Sequence, residues 1–282
     1  MRAARFALRR SFPTEAALGF DRGVQRIVDA IDECLAEVGA SRGVLEGVGV
    51  GCAGPANPKR GTIDNPYTLP TWDGVDIVSP LRATFERPAV LENDADAAAV
   101  GEAYFGAGRG ARSVVMLTFG TGVGSGILID GRIFRGAADT HPELGHLPFD
   151  PAGPECYCGV RGCLESLASG TAISAVGKAA GFGDARGVFT ALAAGNAQAQ
   201  AIVERALRAV ETAAWTIQHS LLPERIILGG GIIDEHYNLF AGAVQKAVNS
   251  ATLNPRHCTS VAKALLGNRA GIAGAAQCLR IA

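Results

Sequence analysis

Apolar positions along the chain recur with two different periods. From Asp21 onward, Val24, Ile27, Val28, Ile31, Leu35 and Val38 fall at the i, i+3, i+4 spacing of a single helix face. Leu45–Val50 is instead a short apolar run that stops at Gly51-Cys52-Ala53-Gly54-Pro55, which predicts a buried strand. Ala89-Val90-Leu91 predicts another, running into Glu92-Asn93-Asp94-Ala95-Asp96 with a helix over Ala97–Tyr104 directly after it. Ser113–Phe119 and Gly126–Ile129 read as strands around Gly120-Thr121-Gly122-Val123-Gly124, and Asp130-Gly131 reads as a hairpin turn into Ile133-Phe134. Ile202–Leu221 is a long helix with an apolar stripe. Arg225–Leu228 is a strand ending in Gly229-Gly230-Gly231, and Ala262–Leu266 is the last strand before a helix of small residues. At the other end, Ala3–Arg10 reads as a strand leading to Pro13. Strands that alternate with helices and end in Gly-rich turns predict an α/β fold that binds ligands at the strand ends. The hairpins make its sheet mixed, and the sharpest boundary falls near residue 100.

Composition narrows the class. The chain has 282 residues, 48% hydrophobic and 19% charged, enough for one large domain or two medium ones and too apolar for disorder. A net charge of −1 leaves no broad basic field for a nucleic-acid backbone, so the early Arg2, Arg5, Arg9 and Arg10 read as a solvated strand edge. No run of about 18 apolar residues is present, so no membrane span is expected. The first residues lack an apolar stretch with a small-residue cleavage site, so the expected location is the cytoplasm. Cys34, Cys52, Cys258 and Cys278 sit among apolar neighbours as ordinary buried thiols.

The other three cysteines carry chemistry. His146 is followed by Cys156, Cys158 and Cys163, which supply with it the four N/S ligands of a closed tetrahedral zinc site. Free thiols or a disulfide are the alternative; a reducing cytosol opposes the disulfide. The Gly120–Gly124 turn can cradle phosphate oxygens on backbone amides with the Thr121 hydroxyl as a further donor, or it can simply be a tight hairpin. Gly229–Gly231, after a buried strand, can bring bare backbone close to a flat ligand, or it can be a plain sheet-to-helix turn. Asn93-Asp94 stands where a strand meets a helix, and either reaches into a cleft or caps the helix. Glu143 and Glu165 flank the cysteine cluster, either as acceptors for sugar hydroxyls or as surface carboxylates.

Together these segments resemble the ROK family of sugar kinases and sugar-responsive repressors, from about Pro13 to the C-terminus. The most specific part is Glu143-Leu144-Gly145-His146, the Cys156/Cys158/Cys163 cluster and Leu164-Glu165-Ser166, preceded by the Gly-Thr-Gly-x-Gly turn and the Asn-Asp-Ala segment. Asn65–Trp72 is similar to the sugar-side loop of glucokinase-type members. The resemblance implies a two-lobed, actin-like ATPase fold (ribonuclease H-like). Residues 1–99 with the C-terminal helix 268–282 would form the small lobe and 100–267 the large lobe with the zinc loop. It further implies ATP-dependent phosphorylation of a glucose-like hexose to the 6-phosphate, with Mg²⁺ accompanying ATP, Zn²⁺ in the cluster and a homodimer as the assembly. Asp94 would be the catalytic base. Gly54, Asn93, Glu143, His146 and Glu165 would hold the sugar, with His146 giving one ring nitrogen to zinc and the other to a hydroxyl. Gly120, Thr121, Gly122 and Gly124 would hold phosphate, and Gly229, Gly230 and Gly231 would lie by the adenosine.

Two features depart from the family pattern. Ala138-Asp139-Thr140-His141-Pro142 stands where a Gly-x-x-Gly pattern normally precedes Glu143. No Asp-x-Gly-Gly-Thr phosphate turn occurs before residue 23, so the small lobe is expected to be incomplete: the sequence either starts inside a longer parent or belongs to a degenerate kinase. A zinc-stabilised sugar-binding protein without catalysis is the alternative function. A repressor of the same family would need a DNA-binding helix-turn-helix, for which this sequence has no room.

Overall fold

The computed structural model describes residues 6–251, 253 and 259–281. Phe20–Glu37 forms the first helix (α1), and Val24 and Val28 of its apolar face are buried. There follow Val48–Cys52 (β1), Ala56–Asn57 (β2), Thr62–Ile63 (β3), Val75–Asp76 (β4), Val78–Phe85 (α2), Ala89–Asn93 (β5) and Asp94–Phe105 (α3). β1 and β5 pair in parallel, from Val48 opposite Ala89 to Cys52 opposite Asn93, so the turns after both strands open side by side. β2, β3 and β4 form a separate antiparallel sheet. Ile63, Trp72, Leu81, Phe85 and Leu91 join α1 in one apolar core beneath these strands.

The second half contains Val114–Phe119 (β6), Val123–Ile129 (β7), Arg132–Ile133 (β8), Leu164–Ala168 (α4), Gly170–Ala179 (α5), Ala185–Ala193 (α6) and Ala197–Ser220 (α7). Arg225–Gly229 (β9), Gly231–Ser250 (α8), Ser260–Lys263 (β10) and Ala270–Ile281 (α9) complete it. Its sheet has the order β10-β9-β6-β7-β8 and is mixed: β6 runs parallel to β9 and antiparallel to β7. A central strand must be apolar on both faces. Accordingly Val115, Leu117 and Phe119 enter the core that includes Val210, Ile217 and Phe240, while Val114 and Met116 enter the core that includes Ala99, Val100 and Cys278. Asp130 and Gly131 both have positive φ, 51° and 76°, which is the backbone of a type I′ hairpin turn.

Helices α3 and α9 lie between the β1–β5 pair and the five-stranded sheet. α9 packs on β1 and β5, α3 packs on β6 and β7, and the two helices pack on each other. Small residues allow this approach: a Cβ on Gly274 would run into the Ala97 carbonyl, and one on Gly101 into the Ala270 carbonyl. The boundary expected after residue 99 therefore runs through the middle of α3.

Three expectations change. Residues 6–10 carry no strand, and the remainder of that expected strand lies outside the described residues. The first buried strand begins at Val48, after a single 3-10 turn at Arg42–Val44. The last strand ends at Lys263, because the chain turns so that the Leu266 N–H meets the buried Glu102 carboxylate at 2.7 Å. Cys278 is buried, Cys34 and Cys52 are half-buried, and Cys258 lies outside the described residues. Among the described residues no helix is long and apolar enough to cross a membrane.

The α3–α9 crossing makes a direct prediction. Gly274→Val should destabilise the fold by about 3 kcal/mol or more, because backbone stands where the side chain must go. Gly271→Ala, with open space at its Cβ position, should be neutral or slightly stabilising. Urea denaturation of both variants checks this, and equal midpoints would contradict it.

Candidate active site

The parallel ends of β1 and β5 build the first wall of a cleft. Asn93 is the last residue of β5 and caps α3: its Oδ1 accepts from the N–H groups of Ala95 at 2.8 Å and Asp96 at 3.2 Å. A Cβ on Gly54, just past β1, would lie 2.5 Å from Asn93 Nδ2, so the bare backbone at 54 stands against that amide. Asn93 thus takes the capping role and leaves Asp94, the first helical residue, facing solvent in the cleft. Desolvation raises the Asp94 pKa above the ordinary aspartate value; the Ala95 N–H and His141 pull it down, and Asp96 adds to the rise.

The second wall is the start of β7. A Cβ on Gly124 would meet Ala95 Cβ at 3.2 Å and Thr118 Oγ1 at 2.8 Å, and one on Gly126 would meet Ala99 Cβ at 2.5 Å. These glycines let α3 lie directly on the strand, which places Asp94 beside the Gly120–Gly124 turn. A side chain on Gly122 would collide with Glu165 Oε2, and that oxygen accepts from the Val123 N–H at 2.8 Å. Gly229 and Gly230 also have packing reasons: Gly229 lies against Met116 and Ala264, and Gly230, at φ 94°, lies against the Phe119 backbone. Gly120 and Gly231 differ, with nothing within 4 Å of a Cβ. Because Thr118 pairs with Gly229 on parallel strands, these two open glycines stand at neighbouring strand ends, and Gly231 begins α8, which is kinked at His236.

The loop between β8 and α4 forms the third wall. A Cβ on Gly145 would strike the Val123 carbonyl, so the turn Leu144–His146 sits tightly on β7. His146 Nδ1 faces Cys156 Sγ at 3.4 Å, Cys158 and Cys163 approach at 3.5 Å, and the four candidate ligand atoms lie within 4.8 Å of one another. A tetrahedral ion with about 2.3 Å metal–sulfur bonds needs sulfur–sulfur edges of about 3.8 Å, so the set fits zinc. Burial and the two neighbouring thiols push Cys163 up to about 12, and burial raises Cys156. A dication among them would favour the thiolates instead. His146 Nε2 meets the Tyr157 hydroxyl at 3.0 Å. The Tyr157 ring is largely exposed, yet desolvation of its hydroxyl and the Glu165 and Glu143 carboxylates push that phenol up to about 12. His146, Glu143 and Glu165 therefore surround Tyr157, a residue not singled out by its sequence position.

Behind Asp94 lies a charged cluster. Glu92 and Asp96 are buried, Glu92 pairs with Arg135, and His141 Nδ1 meets Asp96 Oδ2 at 3.0 Å. Burial raises the Glu92 pKa even with the Arg135 guanidinium against it. These partners are 43 and 45 residues apart, so no local motif marks them.

A sequence model of the ROK family matches residues 21–281. The glucokinase of Thermotoga maritima is 34% identical over 276 residues, covering 92% of this chain and 87% of that protein. Among solved structures, the ROK hexokinase from Thermus thermophilus superposes with a TM-score of 0.82 at 33% identity, covering 94% of this chain and 86% of that one. A ROK family glucokinase from Streptomyces griseus in complex with glucose and AMPPNP superposes with a TM-score of 0.69 at 30% identity, covering 91% and 88%.

The cap geometry predicts that Asn93→Ala lowers stability by about 1–2 kcal/mol and that Asn93→Asp retains most of it. Thermal melting of the two variants decides this; equal losses would show that the amide, rather than its capping oxygen, is what matters.

Proposed function

The chain belongs to the ROK family, and on that premise we propose that it transfers the γ-phosphoryl group of ATP to a glucose-like hexose, giving the hexose 6-phosphate. The fold is the family's actin-like ATPase fold. In this reading the small lobe rests on β1, β5 and α9, the large lobe on the five-stranded sheet, and α3 spans the join. What carries the reading is the contact at Gly124, where the helix bearing Asp94 lies on the strand that leaves the Gly-rich turn. A base and a phosphate cradle so placed suit a sugar hydroxyl attacking a terminal phosphate.

Asp94 would take the proton of that hydroxyl as it attacks phosphorus. Its raised pKa makes its carboxylate a stronger base than that of an ordinary aspartate. Asn93, Glu143, His146 and Glu165 would hold the remaining hydroxyls, with Gly54 offering bare backbone. Gly120, Thr121, Gly122 and Gly124 would surround the transferred phosphate, and Gly229–Gly231 would lie along the adenosine. Mg²⁺ would enter with ATP and neutralise phosphate charge. Zinc would be held by His146 Nδ1, Cys156, Cys158 and Cys163 as a structural ion, keeping the Glu143 loop and the Glu165 helix in register. A reducing cytoplasm suits these free thiols. Catalysis would then rest mainly on positioning and charge.

A coupled ATP-consumption assay over a panel of hexoses, run on residues 1–282 and on an N-terminally extended form, tests the activity. Glucose or a close epimer should be phosphorylated; sugar binding without ATP turnover in both forms would establish the non-catalytic alternative. Asp94→Asn should lower kcat by about 10²–10⁴ with far less effect on sugar binding, and near-normal turnover would move the base elsewhere. Elemental analysis should find one zinc per chain, and chelation should lower both thermal stability and sugar affinity. Metal-free protein with all three thiols alkylated in the folded state would refute the zinc assignment.

A further inference from the structure

Asp96, the third residue of α3, is fully buried in the first turn of the helix whose first residue is Asp94. Its Oδ2 meets His141 Nδ1 at 3.0 Å and lies 3.8 Å from Arg135 Nη1; its Oδ1 has no hydrogen-bond partner among the described residues. On the opposite edge of the ring, His141 Nε2 is 3.7 Å from Glu143 Oε1. The His141 side chain is only 10% exposed. The charged groups facing it are Asp94 and Asp96 from α3, Glu92 from β5, and Glu143 and Arg135 from its own loop. Arg135 pairs through Nη2 with Glu92, whose Oε1 also accepts from the Asn93 N–H at 2.9 Å, while Arg135 Nη1 has no hydrogen-bond partner among the described residues. The His141 ring is the group within hydrogen-bonding distance of the Asp96 carboxylate, whereas Arg135 Nη1 stands 3.8 Å away, and a buried carboxylate without a partner is costly.

We propose that His141 is a positioning residue of the phosphoryl transfer, an imidazolium clamped between Asp96 and Glu143 that fixes the Glu143–His146 loop on α3 and keeps Asp94 ionised. The role rests on the kinase reading above. It also gives a purpose to the segment Ala138–Pro142, where this sequence departs from the Gly-x-x-Gly pattern of its family. Glycines there would leave loop and helix joined by packing alone, whereas His141 ties one to the other by charge. Pro142 restrains the backbone of the residue before it to extended conformations, which supports a fixed ring.

The direction of titration follows from the surroundings. Burial lowers the His141 pKa, but the hydrogen bond and charge of Asp96, then Glu143 and Glu92, outweigh it, and the net shift is upward. The imidazolium is therefore held at pH values where a free histidine has lost its proton, and its charge lowers the pKa of Asp94. As pH rises through the raised His141 value the clamp opens. As pH falls through the Asp94 value the base is protonated.

Two measurements on the full chain test this. The first is the pH profile of hexose phosphorylation in wild type, His141→Gln and Asp96→Asn. Glutamine keeps a hydrogen-bonding side chain of similar reach but carries no charge. His141→Gln should lower kcat about tenfold at neutral pH, move the acid limb of kcat/KM to higher pH, and abolish the alkaline decline. Asp96→Asn should move that decline to lower pH. A purely structural role would lower activity without moving either limb, and unmoved limbs overturn the proposal. The second is the NMR titration of the His141 imidazole, identified by its loss in His141→Gln. It should titrate above the ordinary histidine value of about 6.5 and fall in Asp96→Asn. An ordinary or lowered titration overturns the clamp whatever the activity. A high titration in a chain that phosphorylates no hexose would instead overturn the kinase reading and, with it, the catalytic role assigned to His141.

Discussion

At the start of β7 the backbone is bare at Gly122, Gly124 and Gly126, and the side chains of three other residues occupy the space that their own would fill. Glu165 reaches in at Gly122, while Ala95 and Ala99 of α3 lie on Gly124 and Gly126. The turn before His146 does the same in reverse, its own Gly145 seated on the Val123 carbonyl. Asp94 on α3, Glu165 at Gly122 and the Glu143–His146 turn each depend on one of these approaches. A methyl group at Gly126 or Gly145 would meet backbone and push an element outward, and phosphoryl transfer loses most when its reacting groups are misplaced.

Charge is arranged around this packing. Asp94 and Asp96 occupy the first turn of α3, where the helix dipole favours anions. Asp94 meets solvent in the cleft, whereas Asp96 and Glu92 are buried behind it and matched by His141 and Arg135. Asp94, the proposed base, therefore stands in front of a fixed set of charges. Across the cleft, the cysteine cluster ties the segment carrying His146 to the one entering α4, so Glu143 and Glu165 are anchored from a second direction.

What could be read from the sequence follows from the range of each interaction. The stripe on α1, the doubly apolar β6 and the Asp130-Gly131 turn are local patterns, and each appears in the structure close to where its pattern lies. The four candidate metal ligands were legible for the same reason, lying within one 18-residue loop. The capping question at Asn93-Asp94 could not be decided locally, because both residue types can cap; the structure gives the cap to Asn93. The glycines carried two meanings at once, and only three-dimensional contacts separate Gly120 and Gly231, which are open, from Gly124, Gly229 and Gly230, which are packed. The Glu92–Arg135 and Asp96–His141 pairs were invisible, because topology alone joins residues so far apart. Glu102 is a similar case: its long-range bond to Leu266 ends β10 earlier than the apolar run suggests.

The dependence of the site on close packing is tested most directly at Gly126, which faces α3 and lies two residues beyond the phosphate turn. Its replacement by alanine would set a methyl group 2.5 Å from Ala99 Cβ and 2.7 Å from the Ala95 carbonyl oxygen, displacing the helix that carries Asp94. The measurement is kcat/KM for the hexose in Gly126→Ala, with folding and metal content followed in the same samples. The account predicts a loss of about tenfold or more in protein that remains folded and metal-loaded. Unchanged kcat/KM in such protein would show that the approach of α3 to β7 does not position the base.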